Sequence, residues 1–113
     1  DEGDSTLWVA TTGGGLEEFN KGSKTFRHHD MSSGFLSDFL CSMQMDGHGQ
    51  LWCSTSKGIT RFEPRTGNVT NYSDAEIQDV MPFNLGSSFC TRDGMLLFGG
   101  QNGVLGFHPD SIK

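Results

Sequence analysis

Four histidines are the side chains of this 113-residue chain best equipped for chemistry: His28 and His29 side by side, His48 within Asp46-Gly47-His48-Gly49, and His108 near the end. Imidazoles bind zinc or move protons when their spacing is right, but no interval here matches a zinc motif. The segment from Asp46 to Gln50 superficially resembles a calcium loop. It lacks the alternating carboxylates such loops need, so a hairpin turn is expected. Three cysteines, Cys41, Cys53 and Cys90, are odd in number and form no Cys-x-x-Cys pair. All three fall in strand-like runs and read as buried free thiols behaving as small hydrophobes. Trp8 and Trp52 could stack on a sugar face, yet each lies inside a strand pattern, which points to core. The sequence therefore specifies no catalytic, metal or cofactor site.

Polar groups on loops are the remaining candidates, because irregular segments at a rim are where rigid scaffolds carry binding residues. They are His29, Asp30 and Ser33 in one segment and Asp74, Glu76, Asp79 and Asn84 in another. Asn68-Val69-Thr70 and Asn71-Tyr72-Ser73 match the short glycosylation sequon.

Eight basic residues against fourteen acidic ones leave a formal charge of −6, and the basic residues are scattered singly. Such a chain has no electrostatic footprint for phosphate backbones, so no nucleic acid contact is expected. Apolar residues make up 34%, and the 16 glycines call for many turns. No run of about 18 apolar residues is present.

The elements that must position these groups recur. Leu7-Trp8 precedes Thr11, Gly15-Leu16 and Phe19; Leu51-Trp52 precedes Thr55, Gly58-Ile59 and Phe62; Leu96-Leu97 precedes Gly100, Gly103-Val104 and Phe107. The copies start 44 and 45 residues apart. One full unit reads as four short antiparallel strands, at Phe39 to Met45, Leu51 to Thr55, Ile59 to Phe62 and Val69 to Tyr72, joined by Gly- and Pro-containing turns. In its first strand Phe39, Cys41, Met43 and Met45 alternate onto one side. A hairpin symmetric about His48 would set Met43 opposite Cys53 and Met45 opposite Leu51. Cys41 and Cys53 then become diagonal neighbours about 7–8 Å apart, too far for an easy disulfide.

Four-stranded units of this length are the signature of β-propeller blades. The chain accordingly reads as all-β, a partial β-propeller of about two and a half four-stranded blades. Residues 1–30 form a partial blade, 31–73 a complete one and 74–113 a closing partial one, with crossover loops at His29 to Ser37 and Ser73 to Leu85. That is fewer than the roughly four to eight blades that close a ring, so open edges and faces invite self-association. In this alignment His29 takes the place of Tyr72, which favours strand-end packing for that histidine.

The pattern Leu51-Trp52, Thr55, Gly58-Ile59, Phe62, Pro64, Thr66-Gly67, Val69 and Tyr72 resembles the two-component regulator propeller repeat, as do the lead-in Gly34-Phe35-Leu36-Ser37 and the turn Asp46-Gly47. The resemblance covers essentially Thr6 to Ile112. In the last copy Leu97 replaces Trp, and Phe98 to Gly103 followed by Phe107-His108-Pro109-Asp110 is similar to the closing blade before a small β-sandwich. The resemblance implies a periplasmic sensor propeller of a Bacteroidetes hybrid two-component system, with a β-sandwich, membrane helix, histidine kinase, receiver and helix-turn-helix domain elsewhere. Its partners would be the other blades and that β-sandwich, and its ligand an oligosaccharide.

Three functions follow for comparison. A non-catalytic sensor segment comes first. A propeller glycosidase or lyase needs converging carboxylates, and those here sit mainly in turns and crossovers without a repeated inward position. The third is a protein-interaction module without a small-molecule ligand.

Overall fold

In the computed structural model, residues 6–73 and 75–109 are described. They form ten strands, one short helix and one 3-10 turn in three antiparallel sheets. The first sheet comprises β1 (Thr6–Ala10), β2 (Leu16–Asn20) and β3 (Thr25–His29) in that order. The middle sheet comprises β4 (Leu40–Met45), β5 (Leu51–Thr55), β6 (Ile59–Glu63) and β7 (Asn68–Tyr72). The third comprises β8 (Phe83–Cys90), β9 (Leu96–Gly100) and β10 (Gly103–Phe107). The chain is all-β, with the sheets stacked in a row as expected of a partial propeller.

The recurring Thr-to-Gly interval has a local cause. Thr55 donates from both its N–H and its hydroxyl to the Gly58 carbonyl, and its hydroxyl oxygen accepts from the Gly58 and Lys57 N–H groups. Thr11 repeats this around Gly15, with Oγ1 2.7 Å from the Gly15 carbonyl and accepting from the Gly14 N–H. The glycines themselves are enforced by close approach. A Cβ on Gly15 would lie 2.4 Å from the His29 carbonyl oxygen, and one on Gly58 at the same distance from that of Tyr72. Both have positive φ, at 78° and 154°, where L side chains are strained.

Two cores fill the spaces between sheets. Leu16 and Phe35 pack with Leu40, Leu51, Cys53 and Phe62 between the first and middle sheets, joined by Trp8, Ala10, Met43, Met45 and Val69. Cys41, Trp52 and Ile59 pack with Ile77, Phe83, Leu96 and Phe98 between the middle and third sheets. The inner strands β4 and β8 also touch directly, through Gln44 Nε2 donating to Ser88 Oγ at 2.9 Å.

The hairpin register sets Met43 opposite Cys53 and Met45 opposite Leu51, as the symmetric turn predicts. The shared side for Cys41 and Met43 does not hold. The β4–β5 register shifts between Leu40 and Ser42, and the irregularity sends Cys41 into one core while Leu40, Met43 and Met45 serve the other. Cys90 is exposed rather than buried, because it ends β8 beside the open Arg92–Gly94 turn. The crossovers are also more ordered than loops: Met31–Ser33 is a 3-10 turn and Ala75–Val80 a helix, α1, after which β8 starts at Phe83 rather than Gly86.

Candidate functional site

Each inter-sheet junction is centred on a tryptophan. Trp52 is 1% exposed, stacks on Tyr72 at 5.8 Å between ring centroids and meets Phe107 at 4.9 Å. The Arg61 guanidinium lies over both rings, 5.2 Å and 5.8 Å from their centroids, which adds cation–π attraction. The Trp52 indole N–H donates to Asp46 Oδ2 at 2.9 Å. The other oxygen of that buried carboxylate accepts from the His48 and Gln50 N–H groups at 2.8 and 3.0 Å. Asp46 thus folds the turn and caps the tryptophan with the same group. In the third sheet Thr91 holds the equivalent turn by accepting from the Met95 N–H, and Leu97 needs no cap.

At the first junction Trp8 lies 5.9 Å from Phe62 and 6.0 Å from His29. His29 pairs with Leu16 as Tyr72 pairs with Ile59, so the aligned positions coincide in space. Its Nε2 lies 3.0 Å from Glu18 Oε1, and its ring is 4.5 Å from that of Phe62. His29 packs in the junction at the end of β3. The indole N–H of Trp8 and the hydroxyl of Tyr72 are buried and have no hydrogen-bond partner among the described residues.

The other loop residues divide between two crossovers. Asp30 caps the 3-10 turn, accepting from the Ser32 N–H at 3.0 Å and the Ser32 hydroxyl. Ser33 sits in that turn. Asn71 Nδ2 ties the crossover to the middle sheet by donating to the Gly34 carbonyl at 2.9 Å. In the second crossover Asp79 is exposed on α1 and Asn84 exposed on β8. Glu76 lies on α1, and Asp74 falls outside the described residues.

A more convergent group sits at the opposite ends of the strands, between the β4–β5 and β8–β9 turns. Gly47 and His48 face Arg92, Asp93, Gly94, His108 and Pro109 across a cleft of about 320 Å³. His108 Nε2 donates to the Asp93 carbonyl at 2.8 Å, which fixes the ring against the turn. The Thr91 hydroxyl donates to the Asp93 carboxylate and, with backbone N–H donors and the nearby His108, holds that carboxyl below the usual range. A guanidinium, two imidazoles and an ionised carboxylate can together hydrogen-bond a polar, hydroxyl-rich or acidic ligand. Spacing along the sequence hides this group, because 44 residues separate His48 from Arg92. Only the repeat period, which superposes the two turns, could have brought them together. Among the described residues no cluster of three or more His, Cys, Asp or Glu is placed to hold a metal ion.

No family model matches the chain. Among solved structures, the extracellular domain assigned to a one-component system of B. thetaiotaomicron covers 100% of the chain with a TM-score of 0.85 at 22% identity. A second structure of that same domain, there assigned to a hybrid two-component system, covers 96% with a TM-score of 0.83, and the extracellular domain of another hybrid two-component system of that organism covers 94% with a TM-score of 0.84, each at 24% identity. This chain has their fold. The likeness to Bacteroidetes two-component sensors that the repeat text carries is thereby met in three dimensions. In sequence, Histidine kinase P4 of Formosa agariphila is 29% identical over 91 residues, 80% of this chain. The chain spans 14% to 16% of those solved sensor chains and 7% of the kinase. No helix among the described residues is long and apolar enough to cross a membrane.

Proposed function

We propose that this chain is a non-catalytic segment of the periplasmic sensor portion of a hybrid two-component signalling protein. Its sheets form blades of a larger propeller that adjoins a β-sandwich, and the parent reads a glycan and reports it to a histidine kinase. The observation that carries this reading is the match of fold over 94–100% of the chain to extracellular sensor domains. The kinase relative supports it from sequence. Signal would pass as a shift in packing between sheets, whose junctions rest on a few large side chains such as Trp52 and Phe62.

The ligand-facing group we favour is the cleft of His48, Arg92, Asp93 and His108, where three polar residues of two turns meet the histidine that follows β10. The crossover rim is the second place. There His29 and Asp30 already serve packing and capping, which leaves Ser33, Asp74, Glu76, Asp79 and Asn84 for contact. A thermal-shift screen of the chain with neutral and acidic oligosaccharides tests both, because a ligand that binds only the native state raises Tm. A shift abolished by Arg92→Ala and His48→Ala but kept by Asp79→Ala with Asn84→Ala places the ligand in the cleft, and the reverse pattern places it on the crossover rim. The absence of a shift with every sugar favours a protein-interaction module, and cleavage of a sugar during the screen overturns the non-catalytic reading.

A further inference from the structure

The two turns that face each other across the cleft are copies of one another, so the repeat shows which of their side chains are committed to folding. Asp46, Gly47, His48 and Gly49 correspond to Thr91, Arg92, Asp93 and Gly94. In each turn the first residue donates its N–H to the carbonyl four residues on, Asp46 to Gln50 at 2.9 Å and Thr91 to Met95 at 2.8 Å. Its own carbonyl accepts from the glycine N–H, at 3.3 Å from Gly49 and 3.0 Å from Gly94. Both glycines have positive φ, 80° and 92°. The side chain of the first residue completes the closure by accepting from backbone N–H groups of the turn. Backbone and that one side chain thus close each turn, and the tips carry His48 and Arg92 into the lining of the cleft.

The carboxylates beside the cleft are turned into the protein. Asp46 is buried, and its oxygens are taken by the Trp52 indole N–H on one side and the His48 and Gln50 N–H groups on the other. The Asp93 carboxylate accepts from the Thr91 hydroxyl and from the Asp93 and Met95 N–H groups of its own turn. Arg92 differs. It is exposed, and among the described residues the ion pairs are His28 with Glu17 and His29 with Glu18, both in the first sheet, so no carboxylate there is paired with this guanidinium. His108 stands beside it with its ring seated on Gly94, where a Cβ would come 3.3 Å from Nε2. In a chain of formal charge −6 the cleft is a local exception: its acceptors are spent within the turns, and its cationic donor faces outward.

We propose that the cleft selects a sugar residue that carries a negative charge, a uronic-acid carboxylate or a sulfate ester, and that the Arg92 guanidinium holds this group with His48 alongside. The inference rests on the reading of the cleft as the ligand-facing group. A guanidinium presents parallel N–H donors that match two oxygens of one anionic group, which a hydroxyl cannot match. The volume of about 320 Å³ lies at the small end of ligand pockets, which run from roughly 300 to 1,000 Å³, so one charged residue enters and the rest of the glycan stays outside. The turns are hydrogen-bonded before any ligand arrives, which lowers the cost of ordering the donors. A neutral sugar of the same shape covers the guanidinium without supplying an anion, and the cleft therefore discriminates by charge.

Backbone amide NMR on the whole chain tests it, with titrations of short galacturonate and glucuronate oligosaccharides, their neutral methyl esters, and sulfated galactose oligosaccharides with their unsulfated forms. The amides of Gly47, Gly49 and Gly94 report on the cleft. A charged sugar should move them at concentrations about tenfold below its neutral counterpart, the weight of a hydrogen bond to a charged group. Arg92→Gln should bring the two to the same weak affinity, and added salt should weaken the charged sugar alone. Preference for the uronates identifies the anion as a carboxylate, and preference for the sulfated sugars identifies it as a sulfate ester. Equal affinity of charged and neutral forms at these amides, or a preference that survives Arg92→Gln, overturns the charge selection and leaves the cleft as the ligand site. Sugars that move only amides elsewhere, or none, overturn both the charge selection and the cleft.

Discussion

β5 and β1 carry nearly the same text and meet different fates. All five residues of β5 are buried, whereas in β1 Leu7 and Val9 are exposed and Trp8 and Ala10 partly covered. Local propensity cannot produce that contrast, since both strands pair in register with a following strand through the same kind of Thr–Gly turn. The difference is the number of neighbouring sheets: β5 has one on each face and β1 on one. A strand in a repeat array therefore takes its burial, and with it the energetic weight of each side chain, from the copies beside it.

Substituting the two tryptophans should break this equivalence most strongly. Trp52→Ala should cost about 3–5 kcal/mol, as expected for a large buried aromatic, and Trp8→Ala less than half as much. Urea unfolding of the two variants measures the ratio, and equal costs would show that the flanking sheets do not set the weight of the repeat. Asp46→Ala comes next. Losing the acceptor of a buried indole N–H, together with two turn bonds, should cost about 1–3 kcal/mol, and Asp46→Asn should recover part of it. Thr91→Ala should cost less, because only one turn N–H depends on it and Leu97 has no donor to satisfy.

Cys53 extends the comparison to pH. Burial pushes its thiol up to about 12 from an ordinary 9.0. Between those values the unfolded chain releases the proton and the folded one keeps it. Stability should thus be unaffected by this group below pH 9 and fall by about 1.4 kcal/mol per pH unit from there toward 12. Cys53→Ala should make that slope shallower without abolishing it, because burial raises the Cys41 thiol as well, and a disulfide reagent should label Cys90 in the folded chain well before Cys53. The smallest effects belong to exposed side chains: Val9→Ala and Val104→Ala should each change stability by no more than about 0.5 kcal/mol, as surface positions do. A larger cost measured in dilute protein would mean that these side chains are covered.

Much of this architecture was legible because a repeat states its own alignment. Gly15 and Gly58 must be glycine for a reason within one copy, the approach of the His29 and Tyr72 carbonyls, so the turn appears wherever its text does. The ten strands follow from such punctuation. The bulge at Cys41 was not legible, since alternating apolar residues fit either face and only the second core could claim that side chain. Helix α1 was hidden in the same way. Its six residues are too few to show a period, and it is held by packing, with Ile77 buried in the core beside Phe83.

The candidate sites divide along the same line. The sequence by itself determined the copies, their turns, the pairing partners within each sheet and the coincidence of His29 with Tyr72, because these depend on contacts a few residues apart. Only the tertiary structure decided that His48 and Arg92 share a cleft and that Cys90 is open while Cys53 is sealed. Those facts depend on where one sheet lies against another, through contacts between residues some 44 positions apart that no local pattern records.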